Sequence, residues 1–273
     1  MNLEIKDFEE IGYFIEDDLV EVVNAALFLN KPILIEGPAG TGKTFLAKSL
    51  AKLLKLNLIR LQCHEGIDEE KALYEWNYKK QLLSIQQNKN ENDLFSREFL
   101  IERPIFRSLN SDENSVFLID EVDRADEEFE ALLLEILAEN QITIPELGTF
   151  KAVSQTLPIL TSNGTRELSE ALRRRCLYYY LDYPNLEIEK KVLMSNITNL
   201  KEEDAIRYSK FSAFLRTLGL SKPPSLIEVV EWVKFNFSNK EHSLTKNLGI
   251  LLKDREDQQL YLDKIKDQNE LTS

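Results

Sequence analysis

The sequence has few of the residues that build disulfide frameworks or zinc sites. Among 273 residues there are two cysteines, Cys63 and Cys176, and two histidines, His64 and His242. Neither cysteine belongs to a C-x-x-C pair, so we expect two buried free thiols in a reducing compartment. Cys63 and His64 are adjacent and would point to opposite faces of a strand, which argues against a shared metal site.

Long apolar runs and an excess of positive charge are also missing. No run approaches the roughly 20 apolar residues that cross a bilayer, and the acidic N-terminus has no apolar stretch typical of a signal peptide. We therefore expect a cytoplasmic protein without a membrane partner. The formal net charge is −13, which argues against nucleic acid as a partner because non-specific binders usually carry a basic surface.

Glycine is scarce as well, and three of the nine glycines fall in one stretch, residues 37–44. This stretch fits the phosphate-binding loop G-x-x-x-x-G-K-[ST]. It follows an apolar run at 32–35 and precedes a helical pattern at 45–54, whereas a tight turn with an incidental lysine would not require this context. Glycines let backbone N–H groups approach phosphate oxygens, and a helix start adds unpaired N–H groups. We assign ATP binding to this loop and its first helical residue, namely Gly37, Pro38, Ala39, Gly40, Thr41, Gly42, Lys43, Thr44 and Phe45.

A second element completes a hydrolysis site. The apolar run 115–119 is a predicted buried strand that leads directly into Asp120 and Glu121. Ligands of open α/β sheets sit at the carboxyl ends of strands. We expect Asp120, together with the hydroxyl of Thr44, to hold Mg²⁺, and Glu121 to polarise the attacking water. Lys43 is expected to reach the β- and γ-phosphates.

Periodicity predicts the remaining elements of the first part of the chain. Between the N-terminus and Asp120 we predict helices at 17–29 and 68–86, a strand at 57–63, an exposed mobile loop at 86–96 and a helix at 97–109 broken around Pro104. After Asp120 we predict a helix at 126–140, a hairpin at 141–154, a strand at 157–163, a short helix at 167–174 and a strand at 176–181.

The character of the sequence changes near residues 183–185, after which only helical patterns follow. These patterns lie at 186–196, 202–219, 225–237, 243–253 and 255–268. The predicted fold class is α/β: a P-loop module with a parallel sheet between helices, followed by an all-α lid. We place the domains at 1–183 and 184–273.

The order of these parts resembles an AAA+ ATPase. Several stretches resemble more narrowly the MoxR family, in the branch of the CoxD-type accessory ATPases. The stretches that carry the narrower resemblance are 35–44, 61–68, 72–78, 118–126, 144–148, 161–163 and 171–176. The P-loop alone is generic, whereas 61–68 and 75–78 are specific to the family. The resemblance extends from about residue 13 to residue 257.

The resemblance implies further site residues. Asn163 is similar to sensor 1, which helps to place the lytic water, and the hairpin at 141–154 is similar to the pre-sensor-1 insertion. Arg173, Arg174 and Arg175 occupy the position of the arginine finger that reaches the γ-phosphate of a neighbouring subunit; Arg175 is favoured. Lys222 stands where many AAA+ proteins place the sensor 2 arginine, although an ammonium lacks the bidentate reach of a guanidinium.

The resemblance also implies partners and cofactors. ATP and Mg²⁺ would drive the remodelling or maturation of a client protein by a homo-oligomeric ring, with a hexamer expected. The client would include metalloenzymes, such as a molybdenum hydroxylase, and a von Willebrand factor A domain protein would be a second partner. The alternative functions for this chain are a small-molecule kinase, a nucleic-acid motor or clamp loader, and a scaffold that binds nucleotide without turnover.

For three groups of residues the sequence leaves two interpretations open. The residues 13–15 fit either an adenine pocket or ordinary core packing. The aromatic residues Trp76 and Tyr78 fit either a loop that grips substrate or, with more weight, simple packing. The charged residues Asp123, Arg124 and Asp126 fit either contacts between subunits or a solvated surface.

Overall fold

The computed structural model describes residues 2–86, 94–239 and 243–270, with the side chains of Glu69 and 265–270 left out. Most of the predicted loop at 86–96, and His242, lie outside the described residues. The chain forms two compact units. The first contains Glu16–Gly37 and Lys43–Leu181 with the N-terminal residues to Asp7, and the second contains Phe8–Ile15, Pro38–Gly42 and Asp182–Ser273. The predicted division between residues 183 and 184 stays a prediction.

A five-stranded parallel sheet forms the centre of the first unit. Its order is β2-β5-β8-β1-β9, and all of its pairs are parallel. The strands are β1 (Ile33–Glu36), β2 (Asn57–Gln62), β5 (Ser115–Asp120), β8 (Thr156–Ser162) and β9 (Leu177–Tyr180). Every residue of β5 is buried, as its unbroken apolar run predicts for a central parallel strand.

Helices and two small antiparallel sheets complete the elements before residue 182. The helices are α1 (Ile5–Glu10), α2 (Asp17–Leu29), α3 (Lys43–Leu54), α4 (Glu69–Ala72), α5 (Tyr78–Gln86), α6 (Pro104–Leu109), α7 (Glu127–Glu139) and α8 (Glu170–Arg175). The small sheets pair β3 (Tyr74–Trp76) with β4 (Leu100–Glu102) and β6 (Gln141–Ile144) with β7 (Gly148–Lys151). The second pair is the predicted hairpin.

Two predictions for this unit are wrong. The expected helix at 68–86 is divided by strand β3, and the expected helix at 97–109 begins as a 3-10 turn and strand β4 before α6. The reason is the long-range pairing of Trp76 with Leu100, which buries the Trp76 ring edge-to-face against Tyr74 and Phe95. Aromatic residues at positions 74 and 76 alternate as strand residues do, and the helical pattern around them obscures that signal.

The second unit is helical after residue 182. Its helices there are α9 (Leu186–Asn196), α10 (Glu202–Thr217), α11 (Leu226–Ser238) and α12 (Arg255–Glu270). Trp232 is fully buried, stacks on Phe211 and meets Tyr208 edge-to-face. The parallel sheet and the C-terminal helices confirm the predicted fold class.

The predicted helix at 243–253 is wrong, because only a 3-10 turn, Leu248–Ile250, forms there. Two contacts explain the difference. The indole nitrogen of Trp232 donates to the carbonyl oxygen of Lys246 at 3.0 Å, so this carbonyl does not serve a helix. The next residue, Asn247, adopts a left-handed conformation with φ of 58°, which interrupts a right-handed helix.

Candidate functional site

The P-loop connects β1 to α3, as predicted. Gly37 is required by a close approach, because a Cβ atom there would lie 2.0 Å from the carbonyl oxygen of Leu181. Gly40 has φ of +77°, and a Cβ atom there would lie 2.3 Å from Cβ of Ser225. Both positions therefore exclude any side chain, which explains why the loop has glycine at each of them.

The remaining loop residues support this turn. The hydroxyl of Thr41 donates to the carbonyl oxygen of Pro38 at 3.0 Å. Phe45 is 47% exposed in the first turn of α3. The ring of Tyr13 would lie 3.7 Å from a Cβ atom on Gly42. Tyr13 is buried, so packing against the loop is established for this residue, and its role in an adenine pocket stays a prediction.

Lys43 is buried at the first position of α3, and its Nζ donates to the carbonyl oxygen of Gly37 at 2.7 Å. Burial lowers the pKa of the Lys43 ammonium, and the nearby carboxylates of Asp123, Asp120 and Glu121 oppose that shift. A desolvated ammonium gains much from an anionic partner. The phosphates of a nucleotide are the partner that this environment favours.

Asp120 is the centre of the site. Its Oδ1 accepts hydrogen bonds from the hydroxyls of Thr44 at 2.9 Å and Thr161 at 2.6 Å. The contact brings the last residue of β5 against the first turn of α3, as the paired prediction for Thr44 and Asp120 requires. A hydroxyl and a carboxylate are the hard oxygen ligands that Mg²⁺ prefers.

These two residues fit a magnesium ion that is shared with a nucleotide. Among the described residues, no group of three or more Asp, Glu, His or Cys could hold a metal by itself. Mg²⁺ in phosphate sites is commonly bound through one or two protein groups, with waters and phosphate oxygens as the other ligands. The ion would neutralise phosphate charge there.

Arg60 is a site residue that sequence reasoning missed. Its guanidinium, which comes from β2, donates to Oδ2 of Asp120 from Nε at 3.1 Å and from Nη2 at 2.6 Å. The sequence signal was a single charged residue among the apolar residues of the predicted strand 57–63. The sequence does not show the register between β2 and β5. That register pairs Gln62 with Asp120 and so brings β2 beside the carboxylate.

Glu121 adopts a conformation that is rare for a residue with a side chain. Its φ is 57° and its ψ is 49°, and its backbone N–H donates to the hydroxyl of Thr161 at 2.9 Å. Non-glycine residues in this region carry a small conformational cost and are often found at functional sites. The turn directs the chain away from β5 immediately after Asp120, and Arg124 lies 3.3 Å from a carboxylate oxygen of Glu121.

Asp123 holds the loop that carries Asn163. Its Oδ2 accepts from the backbone N–H of Asn163 at 3.2 Å, and from the backbone N–H and hydroxyl of Thr165 at 3.0 and 2.7 Å. Asp123 is buried, so the interpretation as a solvated surface residue is wrong for it. Asp126 has a structural role too, because it caps α7 by accepting from the N–H of Phe129.

The residues expected to handle the lytic water line one cleft of about 770 Å³. Glu121 and Asn163 lie on its wall, together with Glu65, Gly66, Asp123, Arg124, Ala125, Asp126, Glu127, Thr165 and Arg166. The structure therefore brings these two predicted residues together.

The three arginines of α8 differ in their surroundings. The guanidinium of Arg173 lies 3.6 Å from Glu36 and over the ring of Tyr178. Arg174 is exposed and pairs with Glu170 one turn earlier, and Arg175 is exposed and donates to the carbonyl oxygen of Ala171 at 3.2 Å. Arg173 is thus held by contacts within its own chain, whereas Arg174 and Arg175 face solvent.

Lys222 has an acidic partner within the second unit. Its ammonium lies 3.7 Å from a carboxylate oxygen of Asp254, and its backbone N–H donates to Asp257 at 3.0 Å. Its sensor 2 role stays a prediction.

The two cysteines are free, as predicted. Burial, with a smaller contribution from Asp120, Asp123 and Glu121, raises the pKa of the Cys63 thiol to about 12. Burial alone raises the pKa of Cys176 to about 12. Neither thiol has the lowered pKa of a reactive cysteine.

The fold and the site together define a P-loop nucleotide-binding protein. The model of the AAA domain family, dynein-related subfamily, matches residues 32–176, and the chain belongs to this family. The match covers the P-loop, Asp120, Glu121, Asn163 and the arginines of α8.

The chain is also similar to uncharacterised bacterial proteins and to one solved structure. An uncharacterised protein from Staphylococcus epidermidis is 30% identical over 210 residues, which cover 74% of this chain and 75% of the relative. One from Staphylococcus aureus is 29% identical over 200 residues, which cover 71% and 72%. The crystal structure of a candidate ATPase from Cytophaga hutchinsonii matches with a TM-score of 0.51 at 18% identity, over 87% of this chain and 79% of that one. At that identity the likeness shows the fold alone.

The helices were compared with the length and apolarity that crossing a bilayer requires. Within residues 2–86, 94–239 and 243–270, none is both long and apolar enough to span a bilayer.

Proposed function

We propose that this chain hydrolyses ATP in the presence of Mg²⁺ and uses the energy to remodel client proteins in the cytoplasm. The observation that carries the proposal is the contact of Thr44 with Asp120, beside Glu121 and in one unit with the buried Lys43. A phosphate loop alone would support binding. The carboxylates at the end of β5 add what hydrolysis needs, which is a place for the metal and a group that polarises water.

Each residue has a distinct role in this proposal. The P-loop N–H groups and Lys43 bind the phosphates, while Thr44 and Asp120 would hold the magnesium ion that neutralises them. Glu121 accepts the proton of the attacking water, and Asn163 orients that water within the shared cleft. Thr161 supports both carboxylate residues, because its hydroxyl donates to Asp120 and accepts from the N–H of Glu121.

The remodelling role rests on the resemblance to MoxR proteins of the CoxD type. We propose a homo-oligomeric ring, with six subunits expected, in which an arginine of α8 completes the site of the neighbour. The exposure of Arg174 and Arg175 supports this role for one of them, since Arg173 is engaged with Glu36 of its own chain. Metalloenzymes, including molybdenum hydroxylases, are the proposed clients, and a von Willebrand factor A domain protein is the proposed adaptor.

One experiment tests hydrolysis and the shared site together. The rate of ATP hydrolysis per subunit is measured against protein concentration for the parent, for Glu121→Gln, for Arg175→Ala and for a mixture of the two variants. In a ring, a subunit that retains Glu121 receives the intact arginine of its neighbour, so the mixture recovers activity that neither variant has alone. Arg174→Ala and Arg173→Ala are treated in the same way to identify the residue.

The outcomes separate the parts of the proposal. A rate per subunit that rises with concentration, together with recovery on mixing, supports a ring with shared sites. A constant rate without recovery for any arginine contradicts the ring and favours a self-contained enzyme such as a kinase. A parental rate in Glu121→Gln contradicts the role of Glu121.

A further inference from the structure

The carboxylate of Asp120 is fully engaged before any metal enters the site. Its Oδ1 accepts from two hydroxyls, and its Oδ2 accepts two hydrogen bonds from the guanidinium of Arg60. The Arg60–Asp120 pair has one oxygen–nitrogen distance of 2.6 Å, which is short even for a charge-assisted hydrogen bond. The guanidinium of Arg60 therefore already occupies Oδ2, the carboxylate oxygen that the two hydroxyls do not use.

A magnesium ion and this guanidinium compete for the same oxygen. Mg²⁺ needs near-octahedral oxygen ligands, so the ion or one of its waters would use a lone pair of Asp120. Two cations that share one carboxylate also repel each other, and the repulsion is larger at a partly buried site than in bulk water.

The two partners differ in their freedom to move. The side chain of Asp120 is 4% exposed and is fixed by Thr44 and Thr161, whereas the side chain of Arg60 is 47% exposed. Arg60 also contacts the amide oxygen of Gln62, two residues further along β2. The guanidinium can therefore swing toward solvent and Gln62 while the carboxylate stays in place.

We propose that Arg60 is a counter-cation that Mg²⁺ displaces, so that it lowers the affinity of the site for the ion. The inference rests on the proposed Mg²⁺–nucleotide function and concerns a residue that the phosphate-loop motif does not contain. In the metal-free site the guanidinium of Arg60 balances the negative charge of Asp120 and fills the hydrogen-bonding capacity of Oδ2. When Mg²⁺ arrives with a nucleotide, Arg60 releases Oδ2, and this release makes nucleotide binding sensitive to the free Mg²⁺ concentration.

The test is a Mg²⁺ titration of nucleotide binding, followed by fluorescence of an ADP analogue. ADP has no γ-phosphate, so a contact of Arg60 with that group cannot affect the result, and no turnover is needed. The variants are Arg60→Gln and Arg60→Met, which remove the charge, and Arg60→Lys, which keeps it. Arg97→Gln is the matched control, because Arg97 is also a partly exposed arginine in an ion pair but its partner is Glu102.

The expected result is a shift of the half-saturating Mg²⁺ concentration to lower values, by at least about fivefold, in Arg60→Gln and Arg60→Met. Arg60→Lys is expected to stay within about twofold of the parent, since the positive charge remains, and Arg97→Gln is expected to match the parent. Binding of free Mn²⁺ with ADP, followed by electron paramagnetic resonance, should show the same order. Circular dichroism confirms that each variant is folded.

Two results would overturn the inference, and a third would overturn the function on which it rests. An unchanged or higher Mg²⁺ requirement in both neutral variants would mean that Arg60 assists the metal or ignores it. An equal shift in Arg97→Gln would mean that only the overall charge matters. A parent that binds the ADP analogue without any dependence on Mg²⁺ would contradict the proposed Mg²⁺–nucleotide site itself.

Discussion

At the scale of single residues, Asp123 shows how a carboxylate can act on the site without touching a ligand. Three donors of the loop at Asn163 and Thr165 converge on its Oδ2. We predict that Asp123→Ala lowers kcat for ATP hydrolysis by about 10- to 100-fold, because the Asn163 amide, which we propose orients the water, loses its position. The nucleotide affinity should change by less than about threefold.

The matched control for this prediction is Asp126→Ala, which removes a carboxylate three residues later. Asp126 lines the same cleft, but its carboxylate caps α7 rather than the Asn163 loop, so its loss should cost about 1 kcal/mol of stability and lower kcat far less than Asp123→Ala does. Asp123→Asn keeps an acceptor oxygen and should recover part of the rate. Equal losses of kcat in Asp123→Ala and Asp126→Ala would show that Asp123 is only structural.

Lys43 provides the residue-scale test of the phosphate loop. We predict that Lys43→Ala lowers the affinity for a fluorescent ATP analogue at least about 100-fold, because the phosphates lose a desolvated positive partner. Lys48→Ala, an exposed position on the same helix, is the control and should bind as the parent does. A normal affinity in Lys43→Ala contradicts the assignment of the loop.

The thiols give a pH prediction with a defined sign. The pKa of each cysteine rises from 9.0 to about 12 on folding, so the folded state keeps protons that the unfolded state loses above pH 9. The free energy of unfolding therefore falls as the pH rises from about 9 to 12, by up to about 1.4 kcal/mol per pH unit for each thiol.

Other groups titrate in the same range, so the measurement compares variants. Urea unfolding is followed at several pH values for the parent and for Cys63→Ala with Cys176→Ala. The double variant should lose less stability with rising pH than the parent, whatever its stability at pH 7. Parallel curves would show that the thiols do not contribute.

At the scale of elements, the sequence predicts what is local and misses what depends on pairing. The buried strands β1, β5 and β8 were predictable because each is a continuous apolar run, and α11 because Ser225 and Glu228 form a capping box. Strand β3 was not predictable from the sequence, because it forms by pairing with β4, whose residues lie about 26 positions later in the chain.

The same limit applies to the candidate site. The P-loop and the carboxylates of β5 are recognisable because their residues are close in sequence. The partners Arg60 and Thr161 are 60 and 41 positions from Asp120, and only the strand register brings them to it. Motifs therefore predict which groups carry chemistry, and the sheet determines which groups hold them.

The approach of the P-loop to helix α11 gives an element-scale prediction. Gly40 and Gly148 both have positive φ, but only Gly40 is crowded, since a Cβ atom on Gly148 would meet nothing within 4 Å. We predict that Gly40→Ala lowers nucleotide affinity at least about tenfold, whereas Gly148→Ala costs only the conformational strain of about 1–2 kcal/mol. Isothermal titration with ADP and thermal unfolding measure the two effects.

A second substitution separates crowding from strain. Ser225→Gly removes the Cβ atom that Gly40→Ala would meet, and glycine is tolerated at a helix N-cap at a cost of a few tenths of a kcal/mol. The double variant should therefore bind nucleotide better than Gly40→Ala alone. Additive losses in the double variant would mean that the approach to α11 is not what constrains the loop.

At the scale of the whole molecule, charge and assembly act against each other. Each copy carries a formal net charge of −13, so bringing copies together into a ring costs electrostatic energy that salt screens. We predict that the assembly of Glu121→Gln with Mg²⁺ and ATP, measured by sedimentation velocity, increases as the salt concentration rises from about 20 to 200 mM. The variant is used because it should keep ATP bound without turnover.

The assembly of Arg175→Ala with Glu121→Gln in one chain should be weaker at every salt concentration, if Arg175 is the residue that contacts the neighbour. A single species of monomer size throughout contradicts the ring, whereas assembly that decreases with salt shows that ion pairs between subunits outweigh the repulsion of the net charge.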